Sequence, residues 1–197
     1  MLLDESGKPV VAHVDAISEP GAWYVYLSVR EAFYHWVVVV RPNATGELAI
    51  SGMYWAAEVR VYLVITSAGL SPDEITARVG LAPTETHEMG ASGPISKIAC
   101  REHYWRLEPE RGTPGSIENK LTGLLSRVES AAESIAALRP ECEIWISIVY
   151  YGWAGDPQFA GFGFEAEIVR RIAGLGAELD FGMYGLGPKM LEHGESQ

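Results

Sequence analysis

The chain has 197 residues, of which 48% are hydrophobic and 21% charged, and its formal net charge is -11 at pH 7. This composition is typical of a globular protein with one packed domain, and it excludes a largely disordered chain. The negative charge repels phosphate groups, so it argues against a nucleic acid as the partner.

The sequence also lacks the marks of export and of membrane insertion. Residues 1–10 contain acids where a signal peptide needs a basic start and an apolar stretch. The longest apolar run, residues 36–40, is far shorter than the roughly 20 residues of a membrane helix. Two cysteines, Cys100 and Cys142, give no disulfide framework and fit a reducing compartment. We therefore expect a cytoplasmic protein with no membrane partner.

The first third of the chain has the pattern of short β-strands. Four runs are rich in valine and aromatic residues, and turn sequences separate them. They cover residues 10–17, 23–30, 33–40 and 47–54. In the second run the side chains alternate with a period of two, as in a half-buried strand. We expect these runs to form a meander.

Strands and helices alternate from residue 58 onwards. Residues 59–66 read as a central strand. A first helix begins at Ser71, where Glu74 completes a capping box, and ends at Gly80. A second helix begins after Ser116 and ends before residue 140, with apolar residues at three-and-four spacing. Further elements are a short strand near 86–89, strands at 104–108, 143–151 and 179–183, and a third helix with apolar residues at 164–175.

These elements predict an α+β fold. We expect a mixed or antiparallel sheet with helices mainly on one face, ferredoxin-like in its second part and extended by the N-terminal β-strands. The whole chain, residues 1–197, is predicted to be a single domain. Residues 1–57 would form a β-rich N-terminal extension, residues 58–188 an α+β core and residues 189–197 a frayed tail.

Several segments of the core resemble a bacterial family of domains of unknown function, the family numbered 4279. They are residues 70–76 (LSPDEIT), residues 80–84 (GLAPT), Trp105 and residues 176–184 (GAELDFGMY). The resemblance covers residues 59–186, and the first 57 residues depart from it as an addition. It implies a fold type and no reaction, since most of these motifs are helix caps, turns and core residues.

Three patterns have the spacing of a reactive or cofactor site, and each has a simpler structural interpretation. Cys100 and His103, preceded by His87, lack the second ligand pair of a structural zinc site. The G-x-G-x-x-A string at residues 161–166 does not directly follow a strand, as a dinucleotide fingerprint would. The sequence contains no G-x-S-x-G elbow of a serine hydrolase. We expect no catalytic residue, metal or cofactor. This expectation favours a protein that is not an enzyme, but the sequence leaves the question of catalytic activity open.

Aromatic side chains crowd the end of one predicted strand and the glycine-containing loop after it. They are Tyr150, Tyr151, Trp153, Phe159 and Phe162, and Trp105 of an earlier strand is added to them as a candidate binding residue. Aromatic rings with polar tips are favoured at binding surfaces, but the same rings also serve as core cover when a loop folds over a sheet. Both interpretations stay open at this point.

The sequence favours a non-enzymatic protein-interaction module that binds a protein partner or a second copy of itself. An immunity-type inhibitor of a bacterial toxin is one form of this hypothesis, because an acidic protein attracts a basic nuclease. The alternative is a small-ligand-binding protein or an unrecognised enzyme. Its pocket would lie between the sheet and the loops at 84–100 and 153–163.

Overall fold

The computed structural model describes residues 1–16, 20–29, 34–91, 99–153 and 162–186. These residues contain eight strands and four helices. In chain order they are β1 (Val11–Asp15), β2 (Trp23–Ser28), β3 (Tyr34–Pro42), β4 (Leu48–Ser67), α1 (Pro72–Val79), β5 (Glu85–His87), β6 (His103–Leu107), α2 (Ile117–Val128), α3 (Ala132–Ala137), β7 (Glu143–Trp153), α4 (Ala166–Gly174) and β8 (Glu178–Leu186). None of these helices combines the length and the apolar character that a membrane crossing requires. The predicted frayed tail at 189–197 lies outside the described residues.

The N-terminal strands form an antiparallel meander, as the sequence predicts. β1 pairs with β2, β2 with β3, and β3 with the first half of β4, from Leu48 to Ala57. We call β1, β2, β3 and this half of β4 the meander. Where the sequence predicts two strands, at 47–54 and 59–66, the structure has one strand of 20 residues. The intervening Trp55 to Glu58 contains no turn residue, so nothing interrupts the extended backbone.

The second half of β4 is the centre of a second group of strands. It pairs antiparallel with β6 on one side and with β7 on the other, β5 pairs with β6, and β8 runs parallel to β7. The strand order is therefore β5-β6-β4-β7-β8, continuous with the meander through β4. The predicted α+β class, the mixed sheet and its extension by N-terminal strands are confirmed, whereas the ferredoxin-like arrangement stays a prediction.

The main core lies between this second group of strands and the helices. Alternate residues of β4 from Val59 to Ile65 point towards it, and so do the isoleucines of β7. The apolar stripe of α2 packs on them, with Leu121 and Leu124 fully buried. Every residue of the buried cluster lies between Ala57 and Leu175.

The predicted helix ends are confirmed by their hydrogen bonds. The backbone N–H of Glu74 donates to the Ser71 hydroxyl at 3.3 Å, and the Ser71 N–H donates to the Glu74 carboxylate at 2.9 Å. Gly80 ends α1 at φ = 73°, a conformation that glycine adopts without steric cost. Ser116 caps α2 by accepting a bond from the Asn119 N–H at 3.1 Å.

The predicted second helix is not continuous. A 3₁₀ turn at Glu129–Ala131 separates α2 from α3. Because a 3₁₀ turn has three residues per turn, it places Ala131 below Val128 on the core side. Ala131 is accordingly buried, whereas Ala132, which a regular helix would have placed in the apolar stripe, is only partly buried.

We expect the chain to unfold as a single domain, because β4 takes part in both groups of strands. Leu121→Ala in the core is predicted to lower the free energy of unfolding by about 2–5 kcal/mol. Val37→Ala, at a fully buried position of the meander, is predicted to lower it by about 2 kcal/mol. Urea denaturation followed by far-UV and near-UV circular dichroism measures both.

Both substitutions should shift one shared transition, and Thr122→Ala, at an exposed position of α2, should change stability by less than about 0.5 kcal/mol. Two separate transitions, with each substitution moving only one, would show that the meander and the core are independent domains.

Candidate protein-binding surface

One face of the meander is apolar over its whole width. Directly paired residues of neighbouring strands place their side chains on the same face of a sheet, so the register defines cross-strand rows. Three such rows contain no polar residue. They are Val11–Leu27–Trp36–Trp55, Val14–Val25–Val38–Met53 and Trp23–Val40–Ile50. We call the surface formed by these side chains the apolar face.

Four side chains of the apolar face are open to solvent. The exposed fraction is 72% for Ile50, 64% for Met53, 52% for Val11 and 49% for Val14. Leu27 is the one buried residue in the three rows, and the remaining six residues are half-buried. Large contiguous apolar surfaces of this kind mark interaction sites in folded proteins.

The opposite face of the meander carries polar residues and is the more buried of the two. Its rows include His13–Tyr26–Val37–Tyr54 and Asp15–Tyr24–Val39–Gly52. Tyr26, Val37, Val39 and Asp15 are buried, and burial raises the pKa of Tyr26 to about 12. Asp15 accepts a hydrogen bond at 3.3 Å from the side chain of Asn119 in α2. The face that carries tyrosine, histidine and aspartate side chains is thus the more covered of the two.

The apolar face continues directly into the helix-covered face of the core. Odd-numbered residues of β4 point to the same side from Met53 through Ala57 to Ile65. Trp55 already packs against the core cluster, which begins at Ala57. Among the described residues, the helices cover this side of β4 only beyond that point.

The other face of the core sheet carries a network of ion pairs. The Arg60 guanidinium donates two hydrogen bonds to the Glu108 carboxylate, at 2.7 and 2.6 Å. The Glu108 side chain is only 2% exposed. Arg106 is paired with Glu85 and lies 3.6 Å from the Glu108 carboxylate. Both guanidinium groups also lie over the Tyr62 ring, with the Arg60 Cζ 5.5 Å and the Arg106 Cζ 5.1 Å from the ring centroid.

The charges in this network stabilise one another. Hydrogen bonds to Glu108 raise the pKa of Arg60 above its usual range. Partial burial by itself would raise the pKa of Glu85, but the hydrogen bond from His87, at 2.9 Å, and the charge of Arg106 hold it below its usual value. These residues join β4, β5 and β6, which is a structural role.

A groove lies where β7 and β8 begin. Its volume is about 650 Å³. The residues that line it are Arg139, Cys142, Glu143, Ile144, Trp145, Glu178, Leu179 and Asp180. Asp180 accepts a hydrogen bond from Ser147 at 3.3 Å, and burial raises the pKa of the Cys142 thiol, so this thiol is protonated at neutral pH. The groove therefore offers an acidic lining with one arginine and no activated nucleophile.

No group of three or more histidine, cysteine or acidic side chains has a metal-binding arrangement within the parts of the chain that the structure describes. His87 bonds to Glu85 and packs on the ring of Tyr104, whereas His103 lies 2.6 Å from Glu88. Cys100 and Cys142 are both free thiols.

The comparisons with known proteins identify the core. The family model of the domain of unknown function DUF4279 matches residues 57–186. The chain belongs to the DUF4279 family. Comparison with curated proteins and with solved structures found no match.

The DUF4279 match begins at the junction between the meander and the core. Residue 57 is also the first residue of the buried cluster and the last residue of β4 that pairs with β3. The resemblance seen in the sequence is therefore confirmed, and the apolar face is carried by an addition to the DUF4279 domain.

The aromatic residues that the sequence predicts for a binding site are distributed over both faces of the sheet. Trp105 and Tyr150 are buried in the DUF4279 core, and the Trp105 indole donates a hydrogen bond to the Thr76 hydroxyl at 3.0 Å. Tyr151 lies on the other face and stacks on Tyr184 with ring centroids 5.5 Å apart.

The other three predicted residues follow β7 in the chain. Phe162 packs against the core and stacks on Phe181, with ring centroids 5.2 Å apart. Trp153 is the last residue of β7, and Phe159 lies outside the described residues. The structure thus separates Trp105, Tyr150 and Phe162 from Tyr151, and a shared binding role for these residues stays a prediction.

Sequence reasoning did not find the apolar face or the ion-pair network. A signal for the apolar face was present, because apolar residues alternate along β2 and β4 and fill every position of β3 from Trp36 to Val40. The signal for the network was Arg60 within an otherwise apolar strand. Neither signal reveals which residues meet across strands, because that depends on register.

The buried pair Arg60–Glu108 provides a test of the network. We expect Glu108→Gln to lower the free energy of unfolding by about 3 kcal/mol, because it leaves Arg60 and Arg106 without their shared counter-charge. Arg60→Met made in the Glu108→Gln background should cost clearly less than Arg60→Met alone, which a double-mutant cycle in urea measures.

Arg78 and Glu141 form the matched control, since they are joined at 2.6 Å but half-exposed. Glu141→Gln should cost less than about 1 kcal/mol. If the two glutamate substitutions cost the same, or if the Arg60 and Glu108 effects are additive, the network does not have the structural role described here.

Proposed function

We propose that this protein is a non-enzymatic interaction module of the bacterial cytoplasm that binds a protein partner through the apolar face. The observation that carries this proposal is the set of three uncharged cross-strand rows, exposed at Ile50, Met53, Val11 and Val14. The free energy falls when an apolar partner covers such a surface and removes it from water.

The extent of the apolar face supports a protein as the partner. The strand segments of the meander contain 5, 6, 9 and 10 residues, the last being Leu48 to Ala57. With a rise of about 3.4 Å per residue and strands about 4.8 Å apart, their footprint is roughly 480 Å². This surface is flat and wide, whereas small-molecule sites are concave.

The charge of the chain supports an immunity-type role as one form of the proposal. At a net charge of -11, the protein attracts a basic partner such as a toxin nuclease and repels nucleic acid. Electrostatic attraction of this kind raises the association rate, while burial of the apolar face would keep the complex together.

Replacing Ile50 and Met53 by lysine tests the proposal. Both side chains already reach solvent, so the variant should keep the fold while two charges occupy the apolar face. We expect the immobilised wild-type chain to retain a stoichiometric protein partner, or a second copy, from native lysate, and the double variant to lose it.

Val169→Lys is the matched control, because Val169 is an exposed apolar residue on α4, away from the meander. It should retain whatever the wild-type chain retains. Equal retention by all three proteins would mean that the apolar face does not bind, and a monomer that retains nothing would rule out the interaction module altogether.

A second candidate function is the binding of a small molecule. The groove at the start of β7 and β8 supports it, since about 650 Å³ is within the range of ligand pockets. The acids Glu143, Glu178 and Asp180 favour a cationic ligand there. The pocket predicted between the sheet and the loops at 84–100 and 153–163 involves residues outside those that the structure describes, so it stays a prediction.

A thermal-shift screen with a library of metabolites tests this second candidate. A ligand at about 100 times its dissociation constant stabilises the fold by about 2.7 kcal/mol, which raises the melting temperature by several degrees. The shift should disappear in Asp180→Asn and persist in Glu133→Gln, at an exposed acid on α3. A screen without any shift, or a shift that Asp180→Asn leaves unchanged, contradicts ligand binding in this groove.

A further inference from the structure

We propose that the partner covering the apolar face is a second copy of this chain, so that two meanders pack face to face around a two-fold axis. This inference rests on the proposed function, because it names the partner of the same surface. The result is a β-sandwich at the centre of a dimer, with a DUF4279 domain attached to each sheet.

No single segment outside the described residues is as rich in apolar residues as this surface. The described helices pack on the core beyond Ala57. The segments outside the described residues contain at most two large apolar residues each. They are 17–19, 30–33, 92–98, 154–161 and 187–197. One such segment cannot match three rows that together contain eleven apolar side chains.

The area of the meander is close to what a dimer needs. Two meander footprints of roughly 480 Å² each give roughly 960 Å² in total, which is near the lower limit for a specific interface. The corrugation of the side chains increases the accessible area above the flat footprint. Three tryptophans, Trp23, Trp36 and Trp55, are half-buried within the face, and tryptophan is enriched among residues that dominate binding energy.

The shape of the face is self-complementary. The middle row has three valines, Val14, Val25 and Val38, and the rows on either side of it carry the tryptophans. The bulkiest side chains and the valines therefore lie in neighbouring rows. Two such faces related by a two-fold axis can interdigitate when one is displaced by a row, at the distance of about 10 Å that is usual for packed sheets.

Charge distinguishes a second copy from a basic partner. The three rows contain no charged residue, so packing two of them together leaves no buried charge unpaired. Each chain brings a net charge of -11, however, and the two copies repel each other over distance. Salt screens this repulsion, so we expect the dimer to become tighter as salt increases, whereas a complex with a basic partner becomes weaker.

The experiment is sedimentation equilibrium of the full chain, over a range of protein concentrations, in salt from about 0.01 M to about 1 M. The Debye length falls from about 30 Å to about 3 Å over this range. We expect a monomer–dimer equilibrium whose dissociation constant decreases with salt. Ile50→Lys and Met53→Lys should each raise the dissociation constant by more than about tenfold, because each places two charges in the interface.

The control is again Val169→Lys, which should dimerise like the wild-type chain, and circular dichroism melting should show that all variants are folded. A monomer at every concentration and salt overturns the inference, and so does a dimer that the Ile50 and Met53 variants leave unchanged or that salt weakens.

The failure of this inference is distinguishable from the failure of the proposed function. If the chain is monomeric but retains another protein that the Ile50→Lys/Met53→Lys variant loses, the apolar face binds a different partner. The proposed function then stands, and the dimer is excluded.

Discussion

The organisation of this protein depends on the continuous hydrogen bonding of β4. This strand of 20 residues has β3 beside its first half and both β6 and β7 beside its second half. Beyond a register shift between Ile50 and Gly52, the backbone stays extended, so side chains alternate regularly from Met53 into the core. The apolar face and the helix-covered face of the core sheet are therefore two parts of the same side of β4.

The helices cover only one of these two parts. α2 and the residues around it bury Val59, Val61, Leu63 and Ile65, and the core cluster begins at Ala57. The rows that contain Ile50 and Met53 lie before this point and remain open. A second meander packed on these rows would cover the first half of β4, as the helices cover the second half. One side of the strand would then be excluded from water along most of its length.

The two faces of the core sheet are stabilised by different interactions. On the helix side, apolar side chains are removed from water. On the other side, Arg60, Glu108, Arg106 and Glu85 neutralise one another around the Tyr62 ring. A buried pair of this kind adds little net stability compared with a well-packed apolar pair, but loss of one partner is costly, so it favours one specific arrangement of β4, β5 and β6.

The sequence by itself determined the α+β class, the helix caps at Ser71, Gly80 and Ser116, the strands of the meander and the family of the core. These features depend on hydrogen bonds and side-chain spacing within a few residues of each other, so the local sequence contains them.

The same reasoning grouped Trp105, Tyr150 and Tyr151 as candidate binding residues, because an aromatic ring suits a core and a binding surface equally well. The tertiary structure decided that Trp105 and Tyr150 lie in the core, that two predicted strands are one, and that Val14, Val25, Val38 and Met53 form a single apolar row with both ends exposed. Those outcomes depend on strand register and on which half of the sheet the helices reach, and both are set by contacts between residues far apart in the chain.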